Sequence, residues 1–224
     1  MTTNGKLLHI AIDGPAGAGK STVAKEVAKR LGISYLDTGA MYRVVAYQAL
    51  VAGVPLQDKE AITSLAQSID ISFEHGQREA VYCNGKDVTK HIRGVEVSEA
   101  VSLIASYQGV REQMVKLQRQ AATQSSFVMD GRDIGTHVLP EAKIKIFLTA
   151  SVEERARRRF LENLQTGKDT TLEEVAANIE SRDRLDSERE HAPLKVAADA
   201  IIIDTTGLTV EEVTSKIVEI AREA

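Results

Sequence analysis

Apolar residues recur along the chain at two spacings, and the alternation between them predicts the fold class. Residues 7–13 (LLHIAID) form a short apolar run closed by Gly14 and Pro15, as in a buried strand. From Lys20 to Leu31 the apolar positions Val23, Val27, Ala28 and Leu31 change to helical spacing. Gly32 stops that helix, residues 33–37 predict a second strand, and residues 41–52 a second helix closed by Gly53. Further strands are expected at 127–130, 143–149 and 200–205, with helices at about 152–164, 172–189 and 210–222. Strands and helices of these lengths in alternation predict an α/β fold in three layers around a five-stranded parallel sheet.

One stretch breaks the rhythm. Residues 69–83 alternate like a strand pair around His75, Gly76 and Gln77, and Asn84-Gly85 is a strong hairpin signal. Residues 66–96 are therefore expected to form a small β-rich insert on the acceptor side of a core made of 1–65 and 97–224. Residues 98–122 look helical and return the chain to the sheet. No internal repeat or low-complexity linker interrupts this order.

Composition narrows the function classes. The chain has 224 residues, 43% of them hydrophobic, so it can bury roughly 70% of its extended surface without staples. Its single cysteine, Cys83, permits no intrachain disulfide, and residues 7–12 end in Asp13 rather than continuing as an export signal, so the expected location is the cytoplasm. No run approaches the roughly 18 apolar residues of a membrane span. With 28 Lys and Arg against 32 Asp and Glu, the net charge of −4 argues against a general nucleic-acid binder.

The chemistry starts at Gly14-Pro15-Ala16-Gly17-Ala18-Gly19-Lys20-Ser21, which fits the phosphate-loop pattern of Gly, four residues, Gly, Lys and Ser or Thr. The loop leaves a predicted strand and enters a predicted helix. Backbone N–H groups and the positive helix end can therefore surround phosphate oxygens where the glycines admit close approach. Lys20 adds a charge for the terminal phosphates, and the Ser21 hydroxyl, followed by Thr22, is placed to ligate a hydrated Mg²⁺. A dinucleotide loop is excluded, because no glycine stands at its third required place. A GTPase is disfavoured: Asn84-Gly85-Lys86-Asp87 has the wrong order for guanine reading, and Asp204-Thr205-Thr206-Gly207 reads as a turn before the last helix.

Seven of the chain's 15 arginines fall between 155 and 189. At helical spacing Arg155, Arg158 and Arg159 share a face while Arg157 points elsewhere. They suit a helical lid, about 157–185, that turns at Thr166-Gly167-Lys168-Asp169 and closes arginines over a transferring phosphoryl group while excluding water. Two further stretches follow predicted strands, where open α/β sheets gather ligands: 37–43, with Asp37 and Arg43, and 130–133, with Asp130, Arg132 and Asp133. Their arginines can fork onto an acceptor phosphate, and their carboxylates can orient Mg²⁺ waters or the attacking oxygen. On the residues alone the acceptor stays open: a nucleoside monophosphate, a sugar or a shikimate-like alcohol all remain, as does an NTP-binding switch that acts through a partner protein.

Over nearly its whole length the sequence resembles the bacterial cytidylate kinase family of nucleoside monophosphate kinases. The resemblance is carried by residues 12–20, 36–43, 130–136, 143–148 and 153–156, by Arg182-Asp183 onward, and by Ala192-Pro193-Leu194. It implies transfer of the ATP γ-phosphoryl group to CMP or dCMP with Mg²⁺, by a monomer. It also implies that Thr38, Arg43 and Arg132 meet the acceptor phosphate, Arg182 and Asp186 the pentose, and Ser102, Arg111 and Arg189 the cytosine. With Asp130 these form the expected acceptor site, residues 14–22 the donor site, and Lys20, Arg132, Asp133 and Arg158 the catalytic set. Gln108 stands where many members carry proline, which leaves the helix entry before Arg111 undefined.

Overall fold

The structure is a computed structural model, and it describes residues 7–74, 80–165 and 167–223. By contact the chain divides into two compact units, Met1–Leu36 with Ser125–Ala224, and Asp37–Gln124.

The first unit is built on a five-stranded sheet of β1 (His9–Asp13), β2 (Ser34–Asp37), β6 (Phe127–Gly131), β7 (Ile144–Thr149) and β8 (Ile201–Asp204), in the order β2-β6-β1-β7-β8. These are the five strands expected, and the sheet is parallel. The central strand β1 pairs Ile10 with both Val128 and Ile144. It is apolar on both faces because no face of a central parallel strand meets water. Helices α1 (Lys20–Leu31) and α8 (Val210–Glu223) cover one core, in which Ile10, Ile12, Val23, Val27, Ile146, Leu148 and Ile217 are almost completely buried. Each such side chain contributes roughly 1.5–3 kcal/mol relative to exposure. Two more helices, α6 (Val152–Gln165) and α7 (Leu172–Glu188), pack as a hairpin on Ala156, Phe160, Val175, Ala176 and Ile179. Thr171 and Glu174 close a capping box that starts α7. Thr166 of the expected lid turn lies outside the described residues.

The second unit holds α2 (Thr38–Val51), α3 (Lys59–Ser68), a three-stranded antiparallel sheet of β3 (Ile71–Glu74), β4 (Ala80–Cys83) and β5 (Lys86–Asp87), then α4 (Val95–Ile104) and α5 (Gln108–Ala122). The Asn84-Gly85 hairpin is present with both residues at positive φ, 49° and 75°. His75, Gly76 and Gln77 lie outside the described residues. This unit is wider than the segment 66–96, because α2 packs on α3 and α4, and α3 on α5.

The structure refines two sequence expectations here. Helix α3 was not expected, although Asp58 caps it by accepting from the Ala61 N–H at 2.9 Å and Ile62 and Ala66 bury one face. The stretch 98–122, expected only to be helical, is divided between α4 and α5. Between them Tyr107 takes an extended backbone (ψ 122°), and its hydroxyl donates to the Leu56 carbonyl at 2.7 Å. Gln108 is then the first residue of α5, a position that needs no intrahelical N–H and therefore also suits proline.

Candidate active site

Sheet register assembles the first half of the site. Asp13 stands opposite Gly131 on one side and Phe147 on the other, so the phosphate loop after β1 leaves the sheet beside Asp130-Gly131-Arg132-Asp133 and beside Leu148. Gly14 is at φ +150°, and a Cβ there would lie 2.0 Å from the Leu148 carbonyl oxygen. Gly17, at φ +76°, lets the loop pass α6: its Cβ would sit 3.1 Å from the Cβ of Arg155. Asp13 itself is buried, and its carboxylate accepts from the Ile134 and Gly135 N–H groups at 2.8 and 2.7 Å, holding the short π-helical turn Ile134–Val138 that follows Asp133. Burial pushes its carboxyl up to about 6, against the lowering by those two N–H donors.

Inside the loop Lys20 is 6% exposed, and its ammonium donates to the Pro15 carbonyl at 2.7 Å. Burial first, and then the Arg132 charge, push it down to about 7, although Asp130 pulls the other way. The Ser21 hydroxyl donates to Asp130 Oδ2 at 2.7 Å, and the Tyr35 hydroxyl donates to Asp130 Oδ1 at 2.8 Å. Both oxygens of this buried carboxylate are thereby aimed by the first turn of α1 and by β2.

Around this centre the arginines fall into distinct settings. Arg132 Nε donates to Asp186 at 2.7 Å. Burial alone would raise the Asp186 carboxyl, but the charges of Arg132 and Arg182 outweigh it and hold the group below the usual carboxylate value. Arg189 donates to Asp133 at 3.3 Å and to the Ala192 carbonyl at 2.7 Å. Arg158 is held by Glu154 and by the hydroxyl and carbonyl of Thr205, and its Nη1 lies 3.9 Å from where a Gly19 Cβ would be, beside the loop. Arg155 is buried against the Ala16 carbonyl. Arg159 is half-buried and pairs with Glu162 at 2.9 Å, whereas Arg157 is exposed.

In the second unit, Asp37 caps α2 by accepting from the Ala40 N–H at 2.9 Å, and Thr38 behind it is 3% exposed. Arg43 donates to Ser98 Oγ at 2.9 Å and to the Ile92 carbonyl at 3.4 Å. Ser102 lies one turn past Ser98 on α4 and is half-buried. Arg111 is buried at the start of α5, bonded to the Ala105 carbonyl at 3.3 Å, with its guanidinium 5.6 Å from the Tyr42 ring centre.

A family model described as cytidylate kinase matches residues 10–223. Proteins named cytidylate kinase from Desulfitobacterium hafniense (strain Y51) and Geobacillus kaustophilus (strain HTA426) are 55% and 57% identical to the chain, over 96% of it and over 93% and 97% of their own lengths. The chain belongs to the cytidylate kinase family. A shikimate kinase from Acinetobacter baumannii is 16% identical, with a TM-score of 0.50 over 97% of this chain and 94% of that one, a likeness of fold alone.

The family expected from the sequence is therefore the one found, and with it comes an ATP-dependent nucleoside monophosphate kinase on a phosphate-loop α/β fold. For this cytidylate kinase family member, the first unit brings together Lys20, Ser21, Asp130, Arg132, Asp133, Arg158, Arg182, Asp186 and Arg189. Thr38, Arg43, Ser102 and Arg111 belong to the second unit. Sequence reasoning gave two polar residues of the centre no role, and a third a different one. Tyr35 looked like a strand residue, Asp183 was visible only as the neighbour of Arg182, and Arg155 was expected among the lid arginines rather than against the Ala16 carbonyl. Their partners are 95, 167 and 139 residues away in sequence, beyond the reach of any local pattern. No helix among the described residues is long and apolar enough to cross a membrane.

Proposed function

We propose that the protein transfers the γ-phosphoryl group of ATP to CMP or dCMP, giving ADP and CDP or dCDP, in the cytoplasm. The observation that carries the phosphoryl-transfer reading is the convergence of a buried lysine, the Ser21–Asp130 pair and Arg132 where β1 and β6 leave the sheet side by side. Family membership supports the choice of a cytidine monophosphate.

The donor phosphates take the loop N–H groups and the start of α1, and Lys20 exchanges the Pro15 carbonyl for phosphate oxygens. Ser21 Oγ and the Asp130 carboxylate are hard oxygen donors hydrogen-bonded to each other, a set that fits Mg²⁺ and would hold it directly or through water. When bound, the cation would neutralise charge on the donor phosphates. An acceptor phosphate oxygen attacks the γ-phosphorus, and its bond to the β–γ bridging oxygen breaks. Arg132 and Arg158 stabilise the charge that spreads over the equatorial oxygens, and Asp133 orients the arginines that meet the acceptor. Thr38 and Arg43 hold the acceptor phosphate with Arg132, Arg182 and Asp186 hold the pentose, and Ser102, Arg111 and Arg189 hold the cytosine. Arginine donors match the O2 and N3 acceptors of cytosine. The hairpin of α6 and α7 serves as the lid.

The deciding measurement is ADP release from ATP and Mg²⁺ against CMP, dCMP, UMP, AMP, GMP and dTMP. Selective turnover with CMP and dCMP is expected, and silence with both, from protein that still binds ATP, would overturn the reading. Replacing Arg189 by alanine is expected to raise the KM for CMP at least about tenfold, the scale of one lost charge-assisted hydrogen bond, while the KM for ATP changes little. Equal losses for both substrates would remove Arg189 from the acceptor site.

A further inference from the structure

The two peptide groups that flank Ala16 in the phosphate loop are both held by the helical hairpin. The Ala16 N–H donates to Asp183 Oδ1 at 3.0 Å, and the Ala16 carbonyl accepts from Arg155 Nη1 at 2.9 Å. That same Nη1 donates to Asp183 Oδ2, which closes a ring of Ala16 backbone, guanidinium and carboxylate. Arg155 Nε is tied to the Ala150 carbonyl at 3.0 Å, so the guanidinium is fixed at both ends, and its side chain is only 6% exposed. Gly17 is the loop residue beside Arg155, and its missing Cβ is what lets α6 come this close.

Asp183 is not isolated on α7. Three residues on, Asp186 takes Arg132 at the end of β6, and three further, Arg189 takes Asp133. Spacings of three place these groups along one side of the helix and its continuation. That side thus touches the donor loop through Asp183 and the post-β6 residues through Asp186 and Arg189. An ion pair that only stapled α6 to α7 would need neither the Ala16 N–H nor its carbonyl.

We propose that Arg155 and Asp183 are positioning residues that couple occupancy of the phosphate loop to the acceptor-binding residues on α7. The proposal rests on the reading of the loop as the donor site and of Arg132, Arg182 and Asp186 as acceptor residues. Phosphate binding sets the backbone conformation at Ala16, the ring transmits it to Asp183, and α7 carries it to Arg182 and Asp186 within one helical turn. The coupling is reciprocal, so CMP tightens ATP by the same factor that ATP tightens CMP.

The test measures the dissociation constant of CMP by titration calorimetry with and without a saturating non-hydrolysable ATP analogue and Mg²⁺. The wild-type protein is compared with Asp183→Asn and Arg155→Lys, with thermal unfolding recorded for each. Asparagine can accept from the Ala16 N–H but presents an amide donor to Arg155, and a lysine has no Nε–H to anchor to the Ala150 carbonyl while its terminal nitrogen reaches Ala16 and Asp183. The wild type is expected to show roughly 5- to 150-fold tightening of CMP by the analogue. In both variants that ratio falls towards one, while CMP affinity without the analogue stays within about twofold, less than the roughly 0.6 kcal/mol of thermal energy. If Asp183→Asn does not fold, Arg155→Lys alone decides. Variants that lose melting temperature or turnover but keep the wild-type ratio would reduce the ring to a staple and overturn the proposal. A wild type that binds CMP without any tightening would also overturn it while leaving the functional reading intact. A wild type that binds no CMP at all would sink the functional reading and the coupling with it.

Discussion

Replacing Lys20 with methionine is expected to lower kcat by about 10²–10³-fold, the scale on which single preorganised donors act in charge-stabilising sites. The lysine is buried inside the loop at the N-terminus of α1, where water cannot substitute for its ammonium. Methionine matches its length and removes only the charge and the donor. The structural consequence is one unpaired carbonyl, that of Pro15, at a cost of about 1 kcal/mol. At roughly 2–4 °C per kcal/mol for a protein of this size, the melting temperature should fall by only a few degrees. A coupled ADP assay together with a thermal scan separates the two effects, and near-normal turnover would end the phosphate-loop assignment. The depressed Lys20 pKa adds a second readout. With the group held at about 7, the loop without nucleotide carries more neutral amine at pH 8 than an ordinary lysine would. An anionic phosphate favours the charged form and raises that pKa, so ATP binding at pH 8 takes up a proton. Calorimetric heats of ATP binding should therefore vary with the ionisation enthalpy of the buffer in the wild type and lose that dependence in Lys20→Met.

Gly14→Ala is expected to be the most destabilising of the loop substitutions. Its Cβ would stand 2.0 Å from the Leu148 oxygen, a backbone atom of a strand buried in the sheet, so no side-chain rotation relieves the contact. The residue is also at φ +150°, which side chains rarely adopt. Overpacking and backbone strain together cost about 2–6 kcal/mol, or roughly 5–20 °C of melting temperature. Gly19→Ala isolates the second component, because at φ +82° its nearest neighbour would be Arg158 Nη1 at 3.9 Å, so space exists and only the conformational cost remains. Thermal unfolding of the two variants side by side makes the comparison. Equal losses would show that close approach to β7 is not what demands glycine at position 14.

Reading the sequence was most successful where a single element carries its own signal. The strand at 7–13, the glycine loop and the α1 pattern are each local, and the phosphate loop was legible because strand, turn and helix N-terminus are contiguous. The Asn84-Gly85 turn was legible for the same reason: both residues accept positive φ, and a two-residue hairpin needs nothing else. Legibility failed where a long-range contact outweighed local pattern. The break before α5 depends on Tyr107 reaching the Leu56 carbonyl, 51 residues away, and residues 98–122 show no proline or glycine pair to announce it. Helix α3 had a usable signal in Asp58, Ile62 and Ala66, but ten residues with one buried stripe are short for an unaided assignment.

The sequence by itself determined the α/β class, the order of its five strands along the chain, the nucleotide-phosphate chemistry at 14–21 and, by resemblance, the family. These follow from backbone propensity, hydrophobic period and a motif whose function is built from consecutive N–H groups. The lateral order β2-β6-β1-β7-β8 was decided only by the tertiary structure, because strand neighbours are chosen by packing and crossover rather than by succession. That order brings Asp130 to Ser21 and Tyr35, and Arg132 to Asp186. It also decided that Arg155 and Asp183 close on Ala16 while Arg159 pairs with Glu162 of its own helix. Side chains one helical turn apart have nearly the same local sequence environment, and only the surface each meets distinguishes a buried partner of the loop from a charge paired within its own helix.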